Sequence, residues 1–157
     1  MAIRANFGTI WDNLPQWFQV RKIITNIPDG WETCCIQMSH ALNMANLPVN
    51  YKDKRRVLQF QGREHMLDVG EMRGYLNETY EEAEKIRRVD SNGKVMPRIA
   101  IEGYLGGRKG IIAFGGRHID LWSGGRIHGE RYITAALWEA ASAISDGIFF
   151  WDVSDSG

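Results

Sequence analysis

The stretch Trp31-Glu32-Thr33-Cys34-Cys35-Ile36-Gln37-Met38-Ser39-His40-Ala41-Leu42-Asn43 decides how the rest of the chain is read. The turn Pro28-Asp29-Gly30 comes before it, and Thr33 is a residue type that caps helix starts. Met38, Leu42 and Ala45 then recur at helical spacing on the face that carries Cys34. The pattern predicts a helix from Cys34 to Asn46 with Cys34 in its first turn, pointing to the core side. A thiol placed there is favoured as thiolate, because the unpaired N–H groups and the dipole of a helix start stabilise negative charge. A cysteine serving only as a small buried apolar residue fits the same position, so a nucleophile also requires a base.

Of the four histidines, three have plain structural readings: His40 lies inside that helix, His65 precedes a second one, and His128 falls in a turn or strand start. His118 opens an apolar strand after Gly115-Gly116-Arg117, where its ring can reach across a sheet edge to a helix start packed on that sheet. An imidazole so placed takes the thiol proton and later gives it to the leaving amine, while a third polar group holds its other nitrogen. Glu130 is the first choice for that group, on a strand expected beside His118. Asp120, two residues along His118's own strand, and His128 are the alternatives. Asp120 has to fold back about 6 to 7 Å, the two-residue repeat of a strand.

Working outward, Phe7 to Val20 carries Phe7, Ile10, Trp11, Leu14, Trp17 and Phe18 at helical spacing, and Pro15 breaks or kinks it; it reads as a lid helix. Leu67 to Arg88 predicts a scaffold helix with Val69, Met72, Leu76, Tyr80, Ala83 and Ile86 inward. Asp90 to Pro97 and Gly103 to Gly110 read as loops. Strands follow at 110–114, 118–122 and 148–151, with an alanine-rich helix from Tyr132 to Ser145 between the last two. Helices first and a small antiparallel sheet after them is an α+β arrangement.

The 157 residues suit one domain, 1–157, with one site, and 44% hydrophobic with 24% charged residues is an ordinary globular balance. Nineteen basic residues against nineteen acidic ones give no pull toward nucleic acid or anionic membrane. The N-terminal stretch has no apolar run long enough for a signal peptide, and no segment approaches a membrane span, so the chain is expected to be made in the cytoplasm. The two cysteines are neighbours, which makes them free thiols, since a vicinal disulfide ring is strained. Their spacing does not suit zinc, no His-Glu-x-x-His segment occurs, and the glycine pairs 106–107 and 115–116 lack the Gly-Lys-Ser/Thr of a phosphate loop. No metal or cofactor is expected.

The run from Trp31 to Asn43 resembles the Asn-x-Cys-Ala-Ile-Arg-Met-Ser-x-x-Leu-Asn signature of the type VI secretion amidase effectors, fourth family, with Cys34 at the nucleophile and Cys35 at the alanine. Gly110-Ile111-Ile112 and His118-Ile119-Asp120-Leu121-Trp122-Ser123-Gly124 are similar to its second signature, with Arg117 in place of a glycine and His118 at the base. Phe7, Trp11 and Pro15 near the start, and Phe149-Phe150-Trp151 near the end, extend the resemblance. It implies a papain-like, NlpC-type fold and hydrolysis of the D-glutamyl to diaminopimelate bond in peptidoglycan stem peptides. It further implies injection by the type VI apparatus into the periplasm of a rival bacterium, and a cognate immunity protein that plugs the cleft. The family's third catalytic residue is an Asp after the Leu-Trp-x-Gly turn; the corresponding stretch here, Arg126-Ile127-His128-Gly129-Glu130, has none. Two other readings use the same residues differently: a papain-like acyl transferase or deamidase, and a non-enzymatic binding module in which Cys34 is merely buried.

Overall fold

The computed structural model describes residues 3–16, 18–25, 27, 33–86, 92, 97–129 and 147–154. The expected helix from Tyr132 to Ser145, and Glu130, lie outside these. Among the described residues a six-stranded sheet carries helices on both faces, its strands β1 (Ile3–Arg4), β8 (Ile148–Ser154), β5 (Lys109–Phe114), β6 (His118–Ser123) and β7 (Arg126–Ile127) lying in that order, with β4 (Glu84–Ile86) also paired to β8. Its centre is β5 (Lys109–Phe114), antiparallel to β6 (His118–Ser123) on one side and to β8 (Ile148–Ser154) on the other. The outer edge of β8 is shared: β4 (Glu84–Ile86) pairs antiparallel with its first half, and β1 (Ile3–Arg4) lies parallel along its second. One parallel pair therefore joins a sheet expected to be wholly antiparallel.

The apolar runs of β5 and β8 are continuous rather than alternating because both faces of the sheet are covered. Ile111, Ala113, Trp151 and Val153 join a core with α1 (Phe7–Asn13), α3 (Cys34–Met44) and α4 (Val69–Thr79). Ile112, Phe114, Ile148 and Phe150 turn the other way and meet Ile101 and Leu105 of α5 (Arg98–Leu105). α5 is a correction: the sequence predicts no element at 98–102 and a loop from Gly103, and the chain is helical through both. Pro97 just before it and Gly106 just after, at φ 55°, are its boundary signals.

The first helix stops earlier than expected. Asn6 caps it by accepting the Thr9 N–H at 3.0 Å, and the chain leaves helical geometry at Leu14, because a residue before proline is pushed to extended backbone. A separate short turn of helix, α2 (Val20–Ile23), follows. α4 likewise ends at Thr79 rather than Arg88. The Asn77 side chain accepts both the Ala83 N–H at 2.9 Å and the Trp151 indole N–H at 3.1 Å, turning the chain so that Ile86 meets Ile148 as a strand.

α3 is anchored along its length by polar groups facing a hairpin. β2 (Val57–Phe60) and β3 (Arg63–Met66) are joined by Gln61 and Gly62, both at positive φ as a tight two-residue hairpin turn requires. Ser39 Oγ accepts the Met66 N–H at 2.9 Å, and Asn43 donates to the Glu64 carbonyl at 2.9 Å while accepting the Val49 N–H at 2.8 Å. These buried polar groups are paired, and they fix the helix in rotation as well as position.

Candidate active site

Rotation of α3 matters because Cys34, its first residue, sits half-buried at the end that meets the open edge of β6. β7 (Arg126–Ile127) pairs only with Trp122 and Ser123. The His118 end of β6 therefore has β5 on one side and, among the described residues, no strand on the other. Thr33 does not cap α3 with its side chain as expected: its backbone is already helical, and its hydroxyl donates to Gln37 Oε1 at 2.9 Å. Gln37 in turn donates from Nε2 to the Pro15 carbonyl at 2.7 Å, tying the segment after α1 to the nucleophile's helix.

Between these elements lies a cleft of about 280 Å³ whose lining includes Cys34, Gln37, Arg117, His118, Asp120 and His128, with Leu14 to Gln16 as one wall. His118 Nε2 lies 2.9 Å from Asp120 Oδ2, which leaves Nδ1 for the thiol. Asp120 is buried; its Oδ1 accepts the Leu121 N–H at 2.8 Å, and the Gly129 N–H approaches both oxygens at 3.3 and 3.2 Å. The fold-back expected to handicap Asp120 is closed because the imidazole and the carboxylate lean toward each other along the strand. His128 is also in the cleft, but it packs edge-on against Trp11 with ring centres 4.7 Å apart, and its N–H donates to the Leu121 carbonyl.

The electrostatics follow from these partners. The Cys34 thiol is drawn down to about 5 by hydrogen bonding from Cys35, against burial that raises it, with further lowering by His118 and by the Ile119 N–H. Burial pushes His118 down, yet the Asp120 carboxylate and Cys34 outweigh it and lift the imidazole to about 9. A thiol low and an imidazole high means that the two hold charge together, as thiolate and imidazolium, between those values. Gln37, Gly129 and the wall at Leu14 to Gln16 enter the site without a mark in the sequence, apart from Pro15, which breaks the helix before it.

The model of the family described as type VI secretion system amidase effector protein 4 matches residues 31–151. The chain belongs to this family. It is thus a peptidoglycan amidase effector, a hydrolase of papain-like, NlpC-type α+β fold. The effector Tae4 from Enterobacter cloacae, in complex with the immunity protein Tai4, superposes with a TM-score of 0.71 at 21% identity, over 97% of this chain and 100% of that one. Tae4 from Salmonella typhimurium, in its effector and immunity pair, gives 0.70 at 19% identity over 96% and 99%. No curated protein matches this amidase significantly in sequence. Among the described residues no helix is long and apolar enough to cross a membrane.

Proposed function

We propose that Cys34 of this amidase is the nucleophile, His118 the general base and acid, and Asp120 the group that orients the imidazole. The observation that carries this is the 2.9 Å contact of His118 Nε2 with a buried Asp120, in the same cleft as a thiol held at about 5. The thiolate attacks the scissile carbonyl carbon, and the oxyanion forms against N–H groups of the first turn of α3, which have no intrahelical acceptors. The imidazolium gives its proton to the departing amine, leaving a thioester on Cys34. Neutral His118 then takes a proton from water, the hydroxide oxygen adds to the thioester carbon, and the thiolate leaves. Glu130, the first choice from sequence, is not needed in this scheme.

The bond cut is that between D-glutamate and diaminopimelate in the stem peptide, within one domain spanning 1–157. Arg117, exposed at the mouth and without a side-chain partner among the described residues, suits a substrate bearing free carboxylates. The type VI apparatus delivers the protein to the periplasm of the target cell, and a cognate immunity protein covers the cleft in the producer, as the pairing of Tae4 with Tai4 supports. The test is mass spectrometry of muropeptides after incubation of sacculi with the purified protein. Stem peptides split at this bond, with the diaminopimelate amino group that joined D-glutamate newly free, are expected and should not form with Cys34→Ala; transfer products without hydrolysis would instead favour an acyl transferase.

A further inference from the structure

Asp120 does not reach His118 unaided. Its carboxylate is fixed by the Leu121 N–H on Oδ1 and by the Gly129 N–H across both oxygens, so that Oδ2 is presented to the imidazole. Gly129 contributes a second, less visible thing, which is empty space. A Cβ built there would lie 2.6 Å from Asp120 Oδ2, and its three nearest atoms all belong to Asp120. Backbone conformation does not explain the glycine. Gly124 and Gly125 in the preceding turn stand at φ 53° and 107°, a region that side chains disfavour, whereas Gly129 is not among the positive-φ residues.

Resting on the assignment of Asp120 as orienting group, we propose that Gly129 is a positioning residue: it is glycine because the carboxylate that holds His118 occupies the place of its side chain. Adding a methyl group forces either the backbone or the carboxylate to move. The backbone is held by the neighbouring His128 N–H on the Leu121 carbonyl at 3.0 Å. The carboxylate is the free end of a side chain, and the oxygen in the way is the one bonded to Nε2. The methyl group therefore acts on the imidazole through Asp120, whose atoms are its nearest neighbours, rather than by touching the thiol or the ring.

The experiment compares Gly129→Ala in two backgrounds, native and Asp120→Ala, following stem-peptide release and the titration of His118 by NMR. In the native background the expected result is a fall of roughly tenfold or more in kcat, KM unchanged, and His118 titrating lower than in the native protein. In the Asp120→Ala background, where the obstructed oxygen is gone, Gly129→Ala changes kcat and titration less than about twofold. Equal losses in both backgrounds, or a His118 titration that Gly129→Ala does not move, overturn the proposal. If Gly129→Ala alone does not fold, the double variant is expected to fold, and its failure to do so is equally fatal. Because the titration needs no substrate, a native protein that releases no stem peptide overturns the hydrolytic assignment while leaving the positioning role to be judged by NMR.

Discussion

Two histidines flank α3 in regions that take them out of water, and they respond in opposite directions. His118, at the cleft end of β6, is raised to about 9 because a buried carboxylate and a thiol face its ring. His65, in the hairpin beside the same helix, is 1% exposed and is pushed below the usual histidine value by burial. Backbone groups of Leu58 and Arg63 near its ring offset only part of that, while His40, stacked 6.1 Å away on α3, and the Arg63 guanidinium add positive charge that lowers it further. His40 is itself lowered, by burial and by Arg63. Burial beside positive charge thus turns an imidazole into a neutral, inert ring; anionic partners turn it into a base.

The largest effect expected is at the thiol. Cys34→Ala should lower hydrolysis by about 10⁴-fold or more, to the background of sacculi alone, whereas Cys35→Ala should keep most of it near neutral pH. If both variants fold and lose activity equally, the contrast between a half-buried thiol in the cleft and a buried one in the core collapses. Next comes the partner that separates the two histidines. Asp120→Asn should cost about 10²- to 10⁴-fold in kcat and should send the His118 titration down, toward the behaviour of His65. An Asp120→Asn protein whose His118 still titrates near the native value would assign the rise to something else.

The pH dependence of kcat/KM sharpens the same point. Activity should climb as the thiolate forms through about 5 and decline as the imidazolium is lost through about 9, giving a bell whose top is neutral. Removing the Cys35 donor should move the acid limb of that bell upward, visible as a selective loss of rate in Cys35→Ala below neutrality. The smallest effect lies in the hairpin and concerns stability rather than turnover. His65 has a folded-state pKa below its unfolded value, so its contribution is intact above about 6.5 and is lost as pH falls below it, when the unfolded chain takes up a proton that the buried ring refuses. Urea unfolding of the native protein should show stability dropping below that pH by at most about 1.4 kcal/mol per unit for this group, and His65→Phe should flatten the slope. A slope identical in both proteins would mean that His65 is not the inert counterpart described.

What was legible in sequence follows the same division between local and shared causes. The start of α3 at Cys34 and the strand opening at His118 are written in nearby residues, the Pro28-Asp29-Gly30 sequence before one and Gly115-Gly116 before the other. β4 was not legible, because Glu84 to Ile86 continues a helical pattern and becomes a strand only where β8 offers an edge. The hairpin carries a Gln61-Gly62 turn signal, but β2 is only four residues of mostly apolar type and β3 is mostly polar, so neither shows a clear alternation. In the site, spacing alone made Asp120 look distant from His118. What brings them together is a pair of backbone N–H groups, one of them from Gly129, and backbone donors leave no mark on residue identity beyond the glycine itself.

The shared strand β8 also sets a clock on synthesis. β5 needs it along one side, and β4 and β1 have no other partner among the described residues. A nascent chain halted after residue 123 and before residue 148 can form α3 and the β5–β6 hairpin, yet the sheet that backs the cleft lacks the strand between its first and middle segments. Such long-range closure is slow and comes late. A ribosome stalled on this message therefore holds a thiol and an imidazole with no rigid sheet to bring them together, and the cell making the toxin meets a working one only after translation has passed the last strand.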